Sequence, residues 1–200
     1  MKRALVAAVA ALLVVTGCST EEKPDAPDPT TAAPTESPSP TPTVVAPADL
    51  VVEPGAIGPA RPGLSKDDAL ATGMFDGDVP PPVEGCDPFP LQWKKEYKGL
   101  DVLTRDNGSI ASLGAFEGGP RTSKGIGYGS TLAEVRQAYP NLSPVVDAAF
   151  GQAGAYEVQD DKFIGFLFGD ATVSTIKQSS KVTFMEVAVG DKPEMMRSGC

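Results

Sequence analysis

The sequence predicts an α+β fold in which short helices pack on an antiparallel sheet. The observations behind this prediction are many short apolar runs separated by turn residues, and two well-capped helix starts. Runs of four to eight apolar residues bounded by Gly, Asp and Asn are typical of strands. A helix start with a complete cap marks the point where apolar residues stop alternating with polar ones and begin to recur at helical spacing.

The two predicted helices begin at hydroxyl residues. Ser65 stands three residues before Asp68, and Thr131 stands three residues before Glu134, which is the spacing of a capping box. Apolar residues then recur at helical spacing after Thr131 until Pro140, which ends the second helix because proline cannot continue it.

The strand predictions follow the helices. The turn Asp106-Asn107-Gly108 between two apolar runs is a strong hairpin signal, and the run 163–168 is apolar enough for a central strand. A short helical turn is predicted at 143–150. The predicted strands are 96–104, 109–116, 156–159, 163–168, 173–177 and 182–189.

The two helix starts align at an offset of 66 residues, Gly63 with Gly129, and the run 109–113 resembles 172–176 at an offset of 63. This predicts a tandem pseudo-repeat of one helix followed by antiparallel strands, in which neither unit hides its apolar face alone. The alternative is coincidence between two common capping patterns.

The N-terminus has the features of an export signal. Lys2 and Arg3 precede a 12-residue apolar run, too short to span a hydrocarbon core, which needs about 20 residues. The run ends in Val15-Thr16-Gly17-Cys18, which resembles the lipobox of bacterial lipoproteins. The resemblance implies cleavage before Cys18, a diacylglyceryl group on its sulfur, and a place on the outer face of the cell membrane. The alternative is a secreted protein with an incidental cysteine.

Charge and cysteine content restrict the partners and the compartment. Removal of residues 1–17 leaves 15 basic and 26 acidic side chains, a net charge of −11, so nucleic acid is not an expected partner. Once Cys18 is lipidated, Cys86 and Cys200 remain. An even pair in an exported domain predicts a disulfide, and two free thiols are the alternative.

The chain divides into three parts. Residues 1–17 are the signal peptide, and residues 18–48 are the lipidated cysteine with a Pro- and Thr-rich tether, either unmodified or O-glycosylated. Residues 49–200 form the globular domain.

Catalytic chemistry is not expected. The sequence has no histidine, which excludes a Ser-His-Asp triad, a Cys-His pair and ordinary zinc catalysis. Asp76-Gly77-Asp78 resembles the start of a calcium loop, but Pro80 stands where an oxygen ligand is needed, so a solvated turn is favoured. The sequence therefore predicts no catalytic residue, no metal site and no cofactor.

Four aromatic residues are candidates for ligand or partner contact. Phe89, Trp93 and Tyr97 lie in a proline-rich segment beside two lysines, a composition that interfaces use. Tyr128 lies in the glycine-rich segment before the second helix. The alternative for Trp93 and Tyr97 is inward packing at the start of a strand, and the alternative for the segment around Tyr128 is a tight turn.

A family resemblance rests on the second helix start. Its residues are Gly125, Ile126, Gly129, Ser130, Thr131, Glu134, Val135, Tyr139 and Pro140. The pattern resembles the repeat of secreted beta-lactamase inhibitory proteins and is similar to that of the small lipoprotein of the outer-membrane barrel-assembly machine. The whole layout resembles actinobacterial surface lipoproteins.

The anchor, the tether and the lack of a catalytic motif together predict a non-catalytic domain that binds a protein or an envelope component outside the cytoplasmic membrane. The alternative function, which the resemblance alone implies, is inhibition of a secreted hydrolase. No inhibitory residue is carried over, because the binding loops of such proteins lie outside the matching motif.

Overall fold

Strands dominate the regular structure in this computed structural model, which describes residues 44–81, 84 and 87–196. Every strand pair in the described residues is antiparallel. In chain order the elements are β1 (Val52–Glu53), β2 (Ala56–Ile57), α1 (Lys66–Ala71), β3 (Phe75–Val79), β4 (Phe89–Trp93), β5 (Leu100–Thr104), β6 (Ile110–Ala115), α2 (Leu132–Ala138), β7 (Val146–Asp147), β8 (Ala153–Gln159), β9 (Lys162–Phe168) and β10 (Phe184–Val189). The α+β prediction is confirmed, with more sheet than helix.

Both helices begin where the caps predict. The Ser65 hydroxyl accepts a hydrogen bond from the Asp68 backbone N–H at 3.1 Å. Thr131 and Glu134 form a complete capping box: the Glu134 N–H donates to Thr131 Oγ1 at 3.3 Å, and the Thr131 N–H donates to Glu134 Oε2 at 2.7 Å. These bonds satisfy N–H groups that have no partner within the helix.

The main sheet has six strands in the order β5-β6-β10-β9-β8-β7, and β3 and β4 form a separate hairpin. The hairpin lies beside β5, because the Trp93 indole N–H donates to the Asp101 carbonyl at 2.9 Å. Strand β9 pairs on both sides, with β8 and β10, so the prediction that 163–168 is an inner strand is confirmed.

The tandem repeat is present, since each helix is followed by four strands: β3 to β6 after α1, and β7 to β10 after α2. In each unit, the glycine before the helix and the residue after that glycine form two backbone hydrogen bonds with one residue at the start of the last strand or just before it. These bonds are Gly63 N to Ile110 O (2.8 Å), Ile110 N to Leu64 O (2.9 Å), Gly129 N to Val182 O (2.8 Å) and Val182 N to Ser130 O (2.8 Å).

The residues that match between the last strands of the two units therefore differ from those that the sequence alignment predicts. The Gly63/Gly129 alignment is confirmed, but Ile110 corresponds to Val182, not to a residue in 172–176. The segment 172–176 is a turn, in which the Thr172 N–H bonds to the Thr175 hydroxyl at 2.9 Å and the Thr172 hydroxyl contacts Ser174 Oγ at 2.9 Å. Such local side-chain bonds compete with strand pairing, so the predicted strand 173–177 is wrong.

Three other expectations need correction. Strand β5 begins at Leu100 instead of Glu96, because the Tyr97 N–H closes a turn on the Lys94 carbonyl at 2.9 Å. Residues 143–150 do not form a helical turn throughout, since Ser143 forms two hydrogen bonds with Tyr156 of β8 and Val146–Asp147 form β7. A short 3-10 turn is found only at Ala149–Gly151.

Asp76-Gly77-Asp78, expected to be a solvated turn, lies in β3 and pairs with β4. The Asp78 carboxylate forms an ion pair with Lys66. Among the residues with described positions, no group of three or more acidic or cysteine side chains is arranged to hold a metal ion.

The core lies between one face of the sheet and the helices. Leu132 and Val135 of α2 and Ala69 of α1 belong to one buried cluster with the inward residues of β6, β9 and β10. The Tyr139 ring, at the end of α2, lies 5.2 Å from that of Phe166. Both helices therefore cover the same side of the sheet.

Residues 1–17, most of the tether and Cys18, Cys86 and Cys200 lie outside the described residues. Residues 44–48, assigned from sequence to the end of the tether, contact the domain, since the Tyr97 hydroxyl donates to the Val45 carbonyl at 2.9 Å. Within the part of the chain that is described, neither helix has the length and apolar character needed to cross a membrane.

Candidate binding surface

The structure separates the four aromatic residues proposed from sequence. Trp93 and Tyr97 are buried, at 6% and 4% exposure, and their rings lie 5.7 Å apart. The Trp93 ring also lies 4.3 Å from that of Phe75. The prediction that Trp93 and Tyr97 form a contact platform is therefore wrong, and the alternative of inward packing describes them. Burial, and then the charge of Glu96, raises the pKa of the Tyr97 hydroxyl, which stays protonated to donate its hydrogen bond.

The other two residues remain accessible but lie on different elements. Phe89 is half-buried at the start of β4, and Tyr128 is exposed in the loop between β6 and α2. Glycine is required on both sides of this loop, since Gly125 and Gly129 have φ values of 80° and 81°. The tight turn predicted as an alternative for this segment is thus observed.

The sheet face turned away from the helices is a candidate surface, and it is called the open face here. The strand register identifies its residues, since cross-strand partners lie on the same side. One row crosses five strands and consists of Asp101, Gly114, Glu186, Gly165 and Tyr156. A second row consists of Phe184, Leu167, Gly154 and Val146.

The chain's own C-terminal segment, Asp191–Met196, crosses the open face and is called the strap. Met195 is 2% exposed and packs with Leu167 and Phe184. Its backbone N–H donates to Oε2 of Glu186, a carboxylate in the middle of the sheet whose residue is 3% exposed. A buried carboxylate needs such donors to offset its lost hydration, so the bond fixes the strap on the sheet.

Two strand glycines make room for the strap. A Cβ at Gly154 would lie 2.6 Å from Met195 Cε, and a Cβ at Gly165 would lie 2.7 Å from Pro193 Cγ. Real Cβ contacts are longer than this. At Gly154 the atom met is the flexible tip of Met195, whereas at Gly165 it is a ring atom of Pro193, so a larger residue at Gly165 would push the strap away. Glycine inside a strand often marks such a close approach.

The strap divides the open face into two hollows. One, of about 370 Å³, lies toward β7 and β8 and is lined by Val146, Phe150, Tyr156 and the strap. The other, of about 450 Å³, lies toward β5 and β6 and is lined by Leu103, Ser112, Ala188 and the strap, among others.

Exposed apolar side chains surround these hollows, and together they are called the apolar rim. Isolated exposed apolar residues are ordinary, but several around shared hollows mark an interaction surface. Leu103, Phe150 and Met196 line a hollow, Phe116 stacks on Phe184 at 4.5 Å, and Val158 lies two residues from Tyr156 on the same side of β8. The rim consists of Leu103, Phe116, Phe150, Val158 and Met196.

Phe150 is the most exposed member of the rim, at 83%. Its backbone is left-handed (φ 60°, ψ 26°), which costs a bulky residue about 1–2 kcal/mol. The Ala148 N–H donates to the Gln152 carbonyl at 2.7 Å and closes the loop behind it. The loop therefore holds a large aromatic ring in water at an energetic cost, which points to a functional role.

Among the described residues that line the two hollows, the one serine is Ser112. Ser112 Oγ is buried and has no hydrogen-bond partner among the described residues. A serine nucleophile needs an adjacent general base, and the sequence contains no histidine to provide the usual one. Glu186 is engaged with the strap backbone. The hollow that contains Ser112 is also lined by Arg105, Asp191, Lys192 and Glu194, so the open face offers charged contacts as well as apolar contact and hydrogen bonding.

Sequence reasoning missed Phe150, the strap and the open face. The signals available were the glycines at 154 and 165, in the middle of apolar strands, and the pair Phe150-Gly151 at a loop. Neither signal identifies the segment that approaches the glycines, since that contact depends on chain folding over 30–40 residues. Comparisons with protein-family models, with characterised proteins and with solved structures found no match to this chain.

Proposed function

We propose that this protein is a non-catalytic binding domain, held on the outer face of the cell membrane by lipid on Cys18, and that it binds a protein partner through the apolar rim of the open face. The observation that carries the proposal is Phe150, an aromatic ring kept in water by a left-handed backbone. Aromatic side chains are enriched in the buried cores of protein interfaces, where a few residues carry most of the binding energy.

The membrane anchor rests on the sequence Val15-Thr16-Gly17-Cys18 and the signal before it. Each buried methylene of an acyl chain contributes about 0.8 kcal/mol to membrane binding, and two or more chains give stable attachment. With Cys18→Ser we expect the protein to leave the detergent phase in a phase-partition experiment. Retention of the variant in the detergent phase would contradict a lipid anchor at this residue.

Binding at the open face is tested by photo-crosslinking on living cells. A photoreactive residue at Val158, inside the rim, is expected to capture a specific protein. The matched control is the same residue at Val173, an exposed valine in the turn 172–176 that lines neither hollow of the open face. The Val158 crosslink should disappear when Phe150→Ala is added. Equal capture from both positions, or no effect of Phe150→Ala, would refute binding through the rim.

A second function, inhibition of a secreted hydrolase, is favoured by one specific observation. Phe150 stands at the tip of a loop, and an aromatic tip suits insertion into the cleft of an enzyme. The mature protein would be assayed against secreted beta-lactamases and cell-wall hydrolases, with Phe150→Ala as the comparison. Inhibition that depends on Phe150 would establish this function, and a crosslinked partner that is not an enzyme would exclude it.

A further inference from the structure

Another cavity, called the basic cleft here, lies between the loop 121–130 and helix α2. Its volume is about 440 Å³, and it is lined by Arg121, Lys124, Ser130, Glu134 and Gln137 together with apolar neighbours. Because α2 covers the side of the sheet opposite the open face, the basic cleft is separate from the surface proposed to bind a protein.

The guanidinium group of Arg121 is held in place at this cleft. Its Nη1 donates to the Gly125 carbonyl at 2.9 Å and approaches Ser130 Oγ at 3.4 Å. The side chain lies along Gly127, where a Cβ would be 2.7 Å from Arg121 Cγ. An arginine fixed in this way loses little side-chain entropy when it binds a ligand, and its remaining N–H groups have no partner within the described residues.

Lys124 supplies the second positive charge. Its Nζ lies 4.3 Å from the centre of the Tyr139 ring. Burial raises the pKa of the Tyr139 hydroxyl, so the ring stays neutral beside the ammonium group. Among the described residues, the ion pair observed is between Lys66 and Asp78. In this part of the chain, neither Arg121 nor Lys124 has a carboxylate within ion-pair distance. Two cations that are not ion-paired within the described residues therefore line one cleft, in a chain with a net charge of −9.

Glu134 also lines the cleft, but its carboxylate is committed to the helix cap. Its Oε2 accepts from the Thr131 N–H at 2.7 Å and from the Thr131 hydroxyl at 2.9 Å. These bonds, and then the charge of Arg121, lower the pKa of Glu134. The carboxylate therefore stays ionised near neutral pH, and the cleft keeps one net positive charge.

We propose that the basic cleft binds a compact oxyanion, a carboxylate or phosphate group. Arg121 would donate hydrogen bonds from its unused N–H groups, Lys124 would supply a charge-assisted contact, and the Gln137 amide lies in position to bind a neighbouring polar group. Charge-assisted hydrogen bonds from a fixed guanidinium are among the stronger polar contacts in proteins. This site is independent of the open face and adds a small-molecule ligand to the proposed protein partner.

The test uses the isotope-labelled mature protein in micelles of an uncharged detergent, titrated with inorganic phosphate and, separately, with acetate. Chloride keeps the ionic strength constant, because simple screening would otherwise mimic binding. We expect saturable shifts of the Gly125, Gly127 and Gly129 amide resonances. Saturation by phosphate alone identifies a tetrahedral dianion, and equal saturation by acetate identifies a carboxylate.

Variants separate a built site from loose surface charge. Arg121→Gln should raise the dissociation constant about tenfold or more, the effect of losing a charge-assisted hydrogen bond. Lys124→Gln should also weaken binding, and its folding is not in question because Lys124 makes no hydrogen bond in the described structure. Lys98→Gln, an exposed control on the loop before β5, should change nothing. Shifts that never saturate with either anion, or that are equal in all three variants, would overturn the proposal.

Discussion

Replacing Gly165 with alanine tests whether the strap is seated by the glycine gap beneath it. The added methyl group would lie 2.7 Å from Pro193 Cγ and 3.0 Å from Met195 Cγ. Overpacking of this kind costs about 1–3 kcal/mol. Within a strand, alanine is favoured over glycine, and this preference alone would raise the free energy of unfolding by about 0.5–1 kcal/mol. Because the contact is shorter than real Cβ contacts, overpacking should outweigh the strand preference. We expect the free energy of unfolding to fall by about 1–2 kcal/mol.

Two measurements follow this change. Urea unfolding monitored by Trp93, the single buried tryptophan, gives the free energy of unfolding. Hydrogen exchange of the Met195 amide reports the strap itself, since this N–H donates to Glu186. In Gly165→Ala the exchange should become faster by a larger factor than global unfolding explains, because a displaced strap exposes its amide while the sheet stays folded.

Gly77→Ala is the matched control. Gly77 also lies inside a strand, but a Cβ there would meet its nearest neighbours at 3.4 Å, an ordinary contact. We expect this variant to be as stable as the parent or slightly more stable. If Gly165→Ala matched Gly77→Ala in both stability and Met195 exchange, the reasoning that the strand glycines seat the strap would be refuted.

Further predictions concern the helix cap, the exposed loop and the cysteines. Thr131→Ala should lower the free energy of unfolding by about 1 kcal/mol in urea titrations, because α2 loses its N-cap. The pKa of Glu134 is lower in the folded state than in the unfolded state. The ionised Glu134 carboxylate therefore stabilises the fold fully above its unfolded-state pKa, and this contribution is lost as the pH falls through its folded-state pKa. In Glu134→Gln, the free energy of unfolding should fall less steeply on the acid side of its pH profile. Phe150→Asn should raise stability by about 0.5–1 kcal/mol, since asparagine tolerates the left-handed backbone, yet abolish crosslinking at the rim. Thiol titration of the denatured, unreduced mature protein should find no free thiol if Cys86 and Cys200 are paired; two free thiols would contradict the pairing.

Local signals in the sequence predicted local structure well. The caps at Ser65 and Thr131 and the hairpin turn at Asp106-Asn107-Gly108 are observed because each depends on hydrogen bonds between residues two to four apart. The repeat was found for the same reason, since its strongest mark is the shared glycine and cap before each helix.

Long-range contacts account for what was missed. Asp76-Gly77-Asp78 has the composition of a turn, but pairing with β4 makes it a strand, because the partner strand supplies the hydrogen bonds. Trp93 lies in a segment with the composition of an interface, but its indole N–H donates to a carbonyl on β5 and its ring packs on Phe75, so it is buried. At Phe150, apolar character alone favours burial, but the loop leaves the ring in solvent.

The pairing of β6 with β10 joins the end of one copy to the end of the other in antiparallel fashion. Two antiparallel strands are related by a rotation of about 180° around an axis perpendicular to the sheet. This rotation keeps each face of the sheet on its own side, so a helix that covers one face in the first copy covers the same face in the second. Both helices therefore lie on one side of the sheet, and the reverse sides of both copies form the open face. The strap and the two glycines beneath it, Gly154 and Gly165, belong to the second copy, so the two-fold relation between the copies does not extend to the open face.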